Sequence, residues 1–281
     1  MESAASLAEL HELNHGFTWT PVQPPFEVIS NEQAQSYNQR GFFVFDNALD
    51  ADTVAHAIAE IDPWEAKVER YLQTQPNGRR FIAEAGGISF TTDLVKHSQF
   101  IRDLSASPVI AGVCRDLLGP NVRLYRDQAV YKKPEYPKLF PWHQDNGYNF
   151  VEPQTYLTCW IALTDATVEN GCPWVQPGGH LRGTLKHHLT KLGWVCRQDD
   201  DGALAAPVRA GGMLVFSSLM PHRTGPNVTG ELRKALILQY APDGARYLNP
   251  PAPCNDEGRQ YLIVKDGKRV APPPLVPRSQ K

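Results

Sequence analysis

Val122-Arg-Leu-Tyr-Arg-Asp-Gln-Ala-Val-Tyr131 is where the chain changes its period. Before it, apolar residues recur at helical spacing. From it onward they come in short β-branched and aromatic runs broken by Gly and Pro. The runs Val122–Tyr131, Tyr156–Leu163, Pro173–Gln176, Gly212–Ser217 and Leu232–Tyr240 read as strands. Upstream, Asn31 to Arg40 reads as a helix and Gly41-Phe-Phe-Val-Phe45 as a buried strand. Ala51 to Ile61 is predicted as an amphipathic helix capped by Asp50 or Asp52 and ended by Pro63. A third helix is expected over Ser107 to Leu118, stopped by Gly119-Pro120, and Leu7, Leu10 and Leu13 suggest a short helical start. Helices first and strands second predict an α+β fold, mainly β, with a closed or two-sheet antiparallel core.

The 281 residues carry 28 Lys+Arg against 30 Asp+Glu, a net charge of −2 that offers no field for nucleic acid or a membrane surface. A hydrophobic share of 42% excludes a disordered chain, and 21 Gly with 24 Pro suit a protein of many turns. The expected organisation is a single domain over 1–281: an N-terminal arm 1–30, a core 41–240 and a Pro-rich C-terminal wrap 249–281. Segment 182–207 interrupts the strands and is too long for a hairpin loop; it and the arm are expected to act as lids. Five scattered Cys without a Cys-x-x-Cys pair favour reduced thiols. Glu2, Glu9 and Glu12 do not suit a targeting peptide, and the final Arg278-Ser-Gln-Lys281 is not a peroxisomal address, so the expected compartment is cytoplasmic. The expected partner is a small-molecule substrate; oligomeric state is not legible.

Chemistry concentrates at Trp142-His-Gln-Asp145. In extended chain, residues i and i+2 share a side, so His143 and Asp145 present an imidazole and a carboxylate to one point. His222 follows the apolar run Met213–Ser217 and can supply a third ligand. Two His and one carboxylate form the facial triad of non-haem Fe(II) oxygenases, which leaves adjacent positions open. Alternation in Glu231–Tyr240 sets Arg233, Ala235, Ile237 and Gln239 on one face and Leu232, Leu236 and Leu238 on the other. A buried guanidinium needs an anion, either a dicarboxylate co-substrate or an internal Asp or Glu.

His143-Gln-Asp145, the stretch from Trp160 to His180, then His222 and Arg233 together resemble the phytanoyl-CoA dioxygenase family from about Gly41 to Tyr240. The resemblance implies a double-stranded β-helix (jelly-roll, cupin-like) core flanked by N-terminal helices. It implies Fe(II) on His143, Asp145 and His222, and 2-oxoglutarate paired with Arg233. Thr224 would help hold the far carboxylate, with Trp160, Gln128 and Lys133 also near the co-substrate. Some members carry a Lys on an upstream strand; Gly86-Gly-Ile-Ser-Phe-Thr-Thr92 has none, and Thr91 or Thr92 is the substitute considered. The implied activity consumes O2, with ascorbate as a candidate stimulant, hydroxylates an unactivated C–H bond and releases succinate and CO2. Asp145 fills the position that halogenases leave for chloride, which favours hydroxylation; desaturation, epimerisation or cyclisation share the same cofactors. The reading of another class is a non-oxidative metal-dependent isomerase or binding module. Trp174, Trp142 and Trp194 are candidates for the substrate pocket, His180 reads as structural, and His187-His188 reads as a solvated part of the insertion.

Overall fold

In the computed structural model, which describes residues 8–256 and 258–275, four α-helices precede most of the strands. They are α1 (Asn31–Arg40), α2 (Ala51–Gln73), α3 (Gln99–Leu104) and α4 (Pro108–Leu118). The early strands are β1 (Phe42–Phe45), β2 (Arg79–Arg80), β3 (Ala83–Glu84), β4 (Ile88–Thr92), β5 (Val122–Lys132), β6 (Phe140–His143) and β7 (Val151–Glu152). There follow β8 (Leu157–Ala162), β9 (Pro173–Val175), β10 (His188–Thr190), β11 (Gly193–Val195), β12 (Leu204–Ala205), β13 (Met213–Ser217) and β14 (His222–Thr224). The last are β15 (Arg233–Pro242), β16 (Arg246–Leu248), β17 (Pro251–Pro253), β18 (Leu262–Lys265) and β19 (Lys268–Arg269).

Two antiparallel sheets make the jelly roll. The large one runs β1-β13-β8-β15-β5-β4-β3-β2, with β18 added to β5; the smaller runs β12-β9-β14-β6. Alternation assigns each side of the large sheet its task. Leu236, Leu238 and Tyr240 of β15 join Cys159 and Ile161 of β8 and Val215 of β13 in one core, closed by Ile61 of α2, Ile101 of α3 and Ile110 and Val113 of α4. The other side turns Trp160, Ala162, Leu214, Phe216 and Ala235 toward Val175 of the small sheet. The helices thus cover the outside, and the space between the sheets is left for the site.

Several local features explain why the strands lie where they do. Ser30 and Gln33 form a reciprocal capping box that starts α1. Gly41 ends it at φ 85°, where a Cβ would come within 2.5 Å of the His180 ring, so both the turn and the packing require glycine. Asp50 caps α2 by accepting from Thr53 N. That helix passes the expected end at Pro63 because the proline faces solvent while Ile61, Glu65 and Leu72 continue the buried stripe.

The ends of the chain also depart from expectation. Leu10 forms an isolated bridge with Leu185 rather than a helix, while Glu2, Leu7 and Arg278 to Lys281 lie outside the described residues. The C-terminal segment is more than a wrap, since β18 pairs with β5 and buries Ile263 and Val264. The five cysteines are free and buried. No helix among the described residues is long and apolar enough to cross a membrane.

Candidate active site

The antiparallel register of β14 on β6 sets His222 directly opposite His143. Each ring donates its Nδ1–H to a backbone carbonyl two residues earlier, His143 to Pro141 O at 2.9 Å and His222 to Met220 O at 3.0 Å. These bonds select one tautomer and leave both Nε2 lone pairs facing inward. His143 Nε2 and His222 Nε2 lie 4.0 and 3.9 Å from Asp145 Oδ1, and one ligand atom from each of the three residues falls within a 4.8 Å cluster. The other oxygen, Asp145 Oδ2, accepts from Thr158 Oγ1 at 2.5 Å, which fixes the carboxylate's orientation. Burial and the neighbouring His222 hold the His143 pKa well below its ordinary value, keeping the ring a neutral ligand.

Gln144 points the opposite way, as the alternation requires. Its amide donates to Gly183 O and Leu219 O, and its carbonyl accepts from Leu185 N, tying the ligand strand to the following loops. His187 corrects the expectation of a solvated residue: it is buried and its Nε2 accepts from Gln144 N at 2.9 Å. His188 is exposed. His180 packs edge-on against Trp19, in the structural place expected of it.

Arg233 is fully buried, yet only its Nη1 has a partner, Val130 O at 3.3 Å; Nε and Nη2 have none. It lies against the Trp160 ring, 5.4 Å from its centroid, and burial draws its pKa down to about 10. Directly across the ladder sits Lys132, also fully buried. Its ammonium donates to Thr224 Oγ1 at 3.1 Å and to Gly225 O, and burial beside Arg233 and Arg223 pulls its pKa well below the usual lysine range. Neither cation has a carboxylate partner among the described residues. The unpartnered Nε and Nη2 of a sealed guanidinium, with a hydroxyl whose own proton Lys132 leaves free, suit a carboxylate.

The cavity between the sheets measures about 310 Å³ and is lined by the three candidate ligands together with Gln128, Trp160, Thr224 and Arg233. Lys133 is not among its lining residues. It follows the last residue of β5 and turns to the outer side, where its ammonium pairs with Glu65 at 2.6 Å, and the buried inward lysine is Lys132. Parity from Gln128 would have found it, since 128, 130 and 132 share a face. The substitutes considered on β4 are corrected too: Ile88 and Phe90 line the cavity, Thr91 and Thr92 do not, and the register places Lys132 beside Ile88.

Trp142, Trp174 and Trp194 also lie outside the cavity lining. Trp142 and Trp174 follow residues that face inward or precede them by one, so their rings turn away and stack on Arg223. Arg223 in turn grips Asp200 through two hydrogen bonds, and Trp142 Nε1 donates to the same carboxylate at 2.7 Å. This cluster pins the 182–207 insertion against the outside of the small sheet. Instead of that insertion or the N-terminal arm, the β2–β3 hairpin forms the rim, with Arg80, Phe81, Ile82 and Ala83.

Residues 37–235 match the family model described as phytanoyl-CoA dioxygenase (PhyH). A methylphosphonate hydroxylase from Gimesia maris is 31% identical over 222 residues, covering 76% of this chain and 81% of that one. An ectoine dioxygenase from Bordetella parapertussis is 30% identical over 80% of this chain and 79% of its own length. Among solved structures, EvdO2 from Micromonospora carbonacea var. aurantiaca complexed with 2-oxoglutarate superimposes with a TM-score of 0.63 at 25% identity, over 83% of this chain and 98% of that one.

Proposed function

Because the chain belongs to the phytanoyl-CoA dioxygenase family of non-haem iron- and 2-oxoglutarate-dependent oxygenases, we propose that it hydroxylates an unactivated C–H bond of a small or medium organic metabolite. The observation that carries this is the buried Arg233 guanidinium, with Nε and Nη2 unpartnered, in the same cavity as three convergent iron-type ligands. The residues present fit both groups. His143 Nε2, Asp145 Oδ1 and His222 Nε2 would hold Fe(II), and the orphaned Arg233 Nε and Nη2 suit the far carboxylate of 2-oxoglutarate. When bound, iron and 2-oxoglutarate supply the oxidation, consuming O2 and releasing succinate and CO2.

The chain's own part is positioning and exclusion of water. Pro141 O and Met220 O orient the imidazoles, and Thr158 holds Asp145 so that one oxygen faces the metal position. Arg233 draws the co-substrate to the sealed end of the cavity. Lys132 donates to Thr224 and leaves that hydroxyl's proton for the same carboxylate. Asp145 occupies the ligand place that a halide would need, which supports hydroxylation over halogenation. The free buried cysteines support a reducing compartment such as the cytoplasm.

The test is succinate formation from 2-oxoglutarate with added Fe(II) and ascorbate under air, coupled to a product heavier by one oxygen. Wild type should turn over only with Fe(II), and His143→Ala or Asp145→Ala should abolish it. Full activity of metal-stripped protein would overturn the reading.

A further inference from the structure

The inner face of the β15–β5 pair has a second polar end that the metal ligands and Arg233 do not use. Pairing runs Arg233↔Lys132 at one end and Gln239↔Arg126 at the other. The ends are six residues apart on β15, about 20 Å at a rise of roughly 3.3 Å per residue. On the neighbouring strand Gln239 pairs with Thr158, the residue that holds Asp145. A continuous row therefore leads from the metal ligand through Thr158 and Gln239 to Arg126, two strand spacings or on the order of 10 Å across.

Beyond the metal ligands the charge on the cavity wall has one sign. Arg126 and Arg80 both line the cavity, and among the described residues Asp145 is the only acidic one that does. The Arg126 side chain has no hydrogen bond or ion pair among the described residues, and Arg80 has a neutral partner, the Tyr71 hydroxyl at 2.7 Å. Nearby acids are engaged elsewhere: Glu84 with Lys138, Tyr136 and Arg79, and Asp127 with Val95 N. The Tyr148 hydroxyl, also on the cavity wall, is buried with no partner. Away from that polar row the wall is apolar, with Ile237, Phe90 and Phe140, as far as Ile88 opposite Lys132.

Resting on the oxygenase reading above, we propose that the substrate is an anion: an aliphatic body against that wall, carrying one carboxylate or phosphonate group on Arg126, with the Tyr148 hydroxyl as a further donor. A guanidinium at the cavity mouth offers such a group a two-pronged contact, and an apolar wall beyond it directs the C–H end toward the metal. Three of the insertion's four Lys and Arg residues are taken, Arg182 by Ala8 O, Lys186 by Glu9 and Arg197 by Asp199, which leaves Lys191 alone and no wider basic surface. That arrangement favours a compact anion over an extended polyanionic carrier.

The probes are hexanoate, hexylphosphonate and the uncharged hexanamide. Each is titrated without O2 into full-length protein loaded with Fe(II) and saturating 2-oxoglutarate. At least one anion should bind about tenfold or more tightly than the amide, a difference that should shrink to near unity in Arg126→Gln and return in part in Arg126→Lys. The anion that binds more tightly distinguishes carboxylate from phosphonate recognition. Equal affinity for amide and anions, no anion binding at millimolar concentration, or an Arg126→Gln protein that keeps the discrimination would each overturn the proposal. A separate titration of 2-oxoglutarate shows which idea has failed: loss of its Fe(II)-dependent binding in wild type would instead sink the oxygenase reading.

Discussion

Arg233 and Arg126 stand on the same cavity wall, yet one is sealed from water and the other opens to it. At the Arg233 end, the guanidinium, Lys132 and Thr224 are held by neighbouring strands and by backbone carbonyls, and nothing there can rearrange cheaply. Arg126 itself is exposed, and the cavity rim is a short hairpin with Phe81 more than half exposed. The difference follows from what each end has to meet. A buried pair of cations is costly unless an anion of fixed shape arrives, which suits a co-substrate that is always the same molecule. An exposed arginine costs little when empty, and a rim of two-residue strands tolerates sequence change, which suits the end that distinguishes one substrate from another.

The sharpest attempt to break this division is Arg233→Ala. Removing one fully desolvated charge should raise the apparent KM for 2-oxoglutarate roughly 100-fold, measured by initial rates of succinate formation, while the iron affinity stays near wild type. An unchanged KM would mean that the sealed end does not hold the co-substrate. Lys132→Met should produce a smaller change of the same kind, about tenfold in KM, because only the support of Thr224 is lost. Its melting temperature should hold or rise, since a buried unpaired charge is replaced by an apolar side chain of similar size. A strongly destabilised Lys132→Met would make that lysine a structural residue.

The other side of the same strand supplies the control. Leu238→Ala opens the core beneath the helices and should cost about 2–5 kcal/mol in urea unfolding, with the KM for 2-oxoglutarate unmoved. The smallest effect is expected at His180, where burial holds the ring neutral with its pKa down at about 4. The unfolded chain takes up that proton near the ordinary value of about 6.5 and the folded chain does not, so acid favours unfolding. His180 should therefore lower stability progressively as pH falls from about 6.5 to 4. The urea midpoint of wild type should fall across that window more than that of His180→Gln; parallel curves would show that His180 is not the titrating group.

Much of this was legible before any coordinates, and the reasons are specific. His143 and Asp145 are two residues apart on extended chain, and Arg233 alternates with Leu232 and Leu236, so parity alone aims them correctly. The same parity, applied to Gln128, distinguishes Lys132 from Lys133, and to His143, turns Trp142 away; residue type alone draws attention to Lys133 and Trp142, which both face away from the cavity. Other features depend on contacts distant in the chain. The length of α2 rests on Glu65 meeting Lys133, and the path of the insertion on Asp200 meeting Arg223 and Trp142. No local pattern announces either pairing. Arg126 carries no sequence signal for a related reason: on a strand it looks like any exposed cation, and only the sheet register places it at the end of a row leading from Asp145.

The division of the wall is tested most directly by one pair of affinities in three proteins. Dissociation constants for 2-oxoglutarate and for the tighter of the two hexyl anions would be measured without O2, on the Fe(II) forms of wild type, Arg233→Ala and Arg126→Gln. The anion would be titrated at saturating 2-oxoglutarate throughout. The account predicts that Arg233→Ala weakens 2-oxoglutarate alone and that Arg126→Gln weakens the hexyl anion alone. Parallel loss of both ligands in either variant, or the reverse assignment, would contradict it.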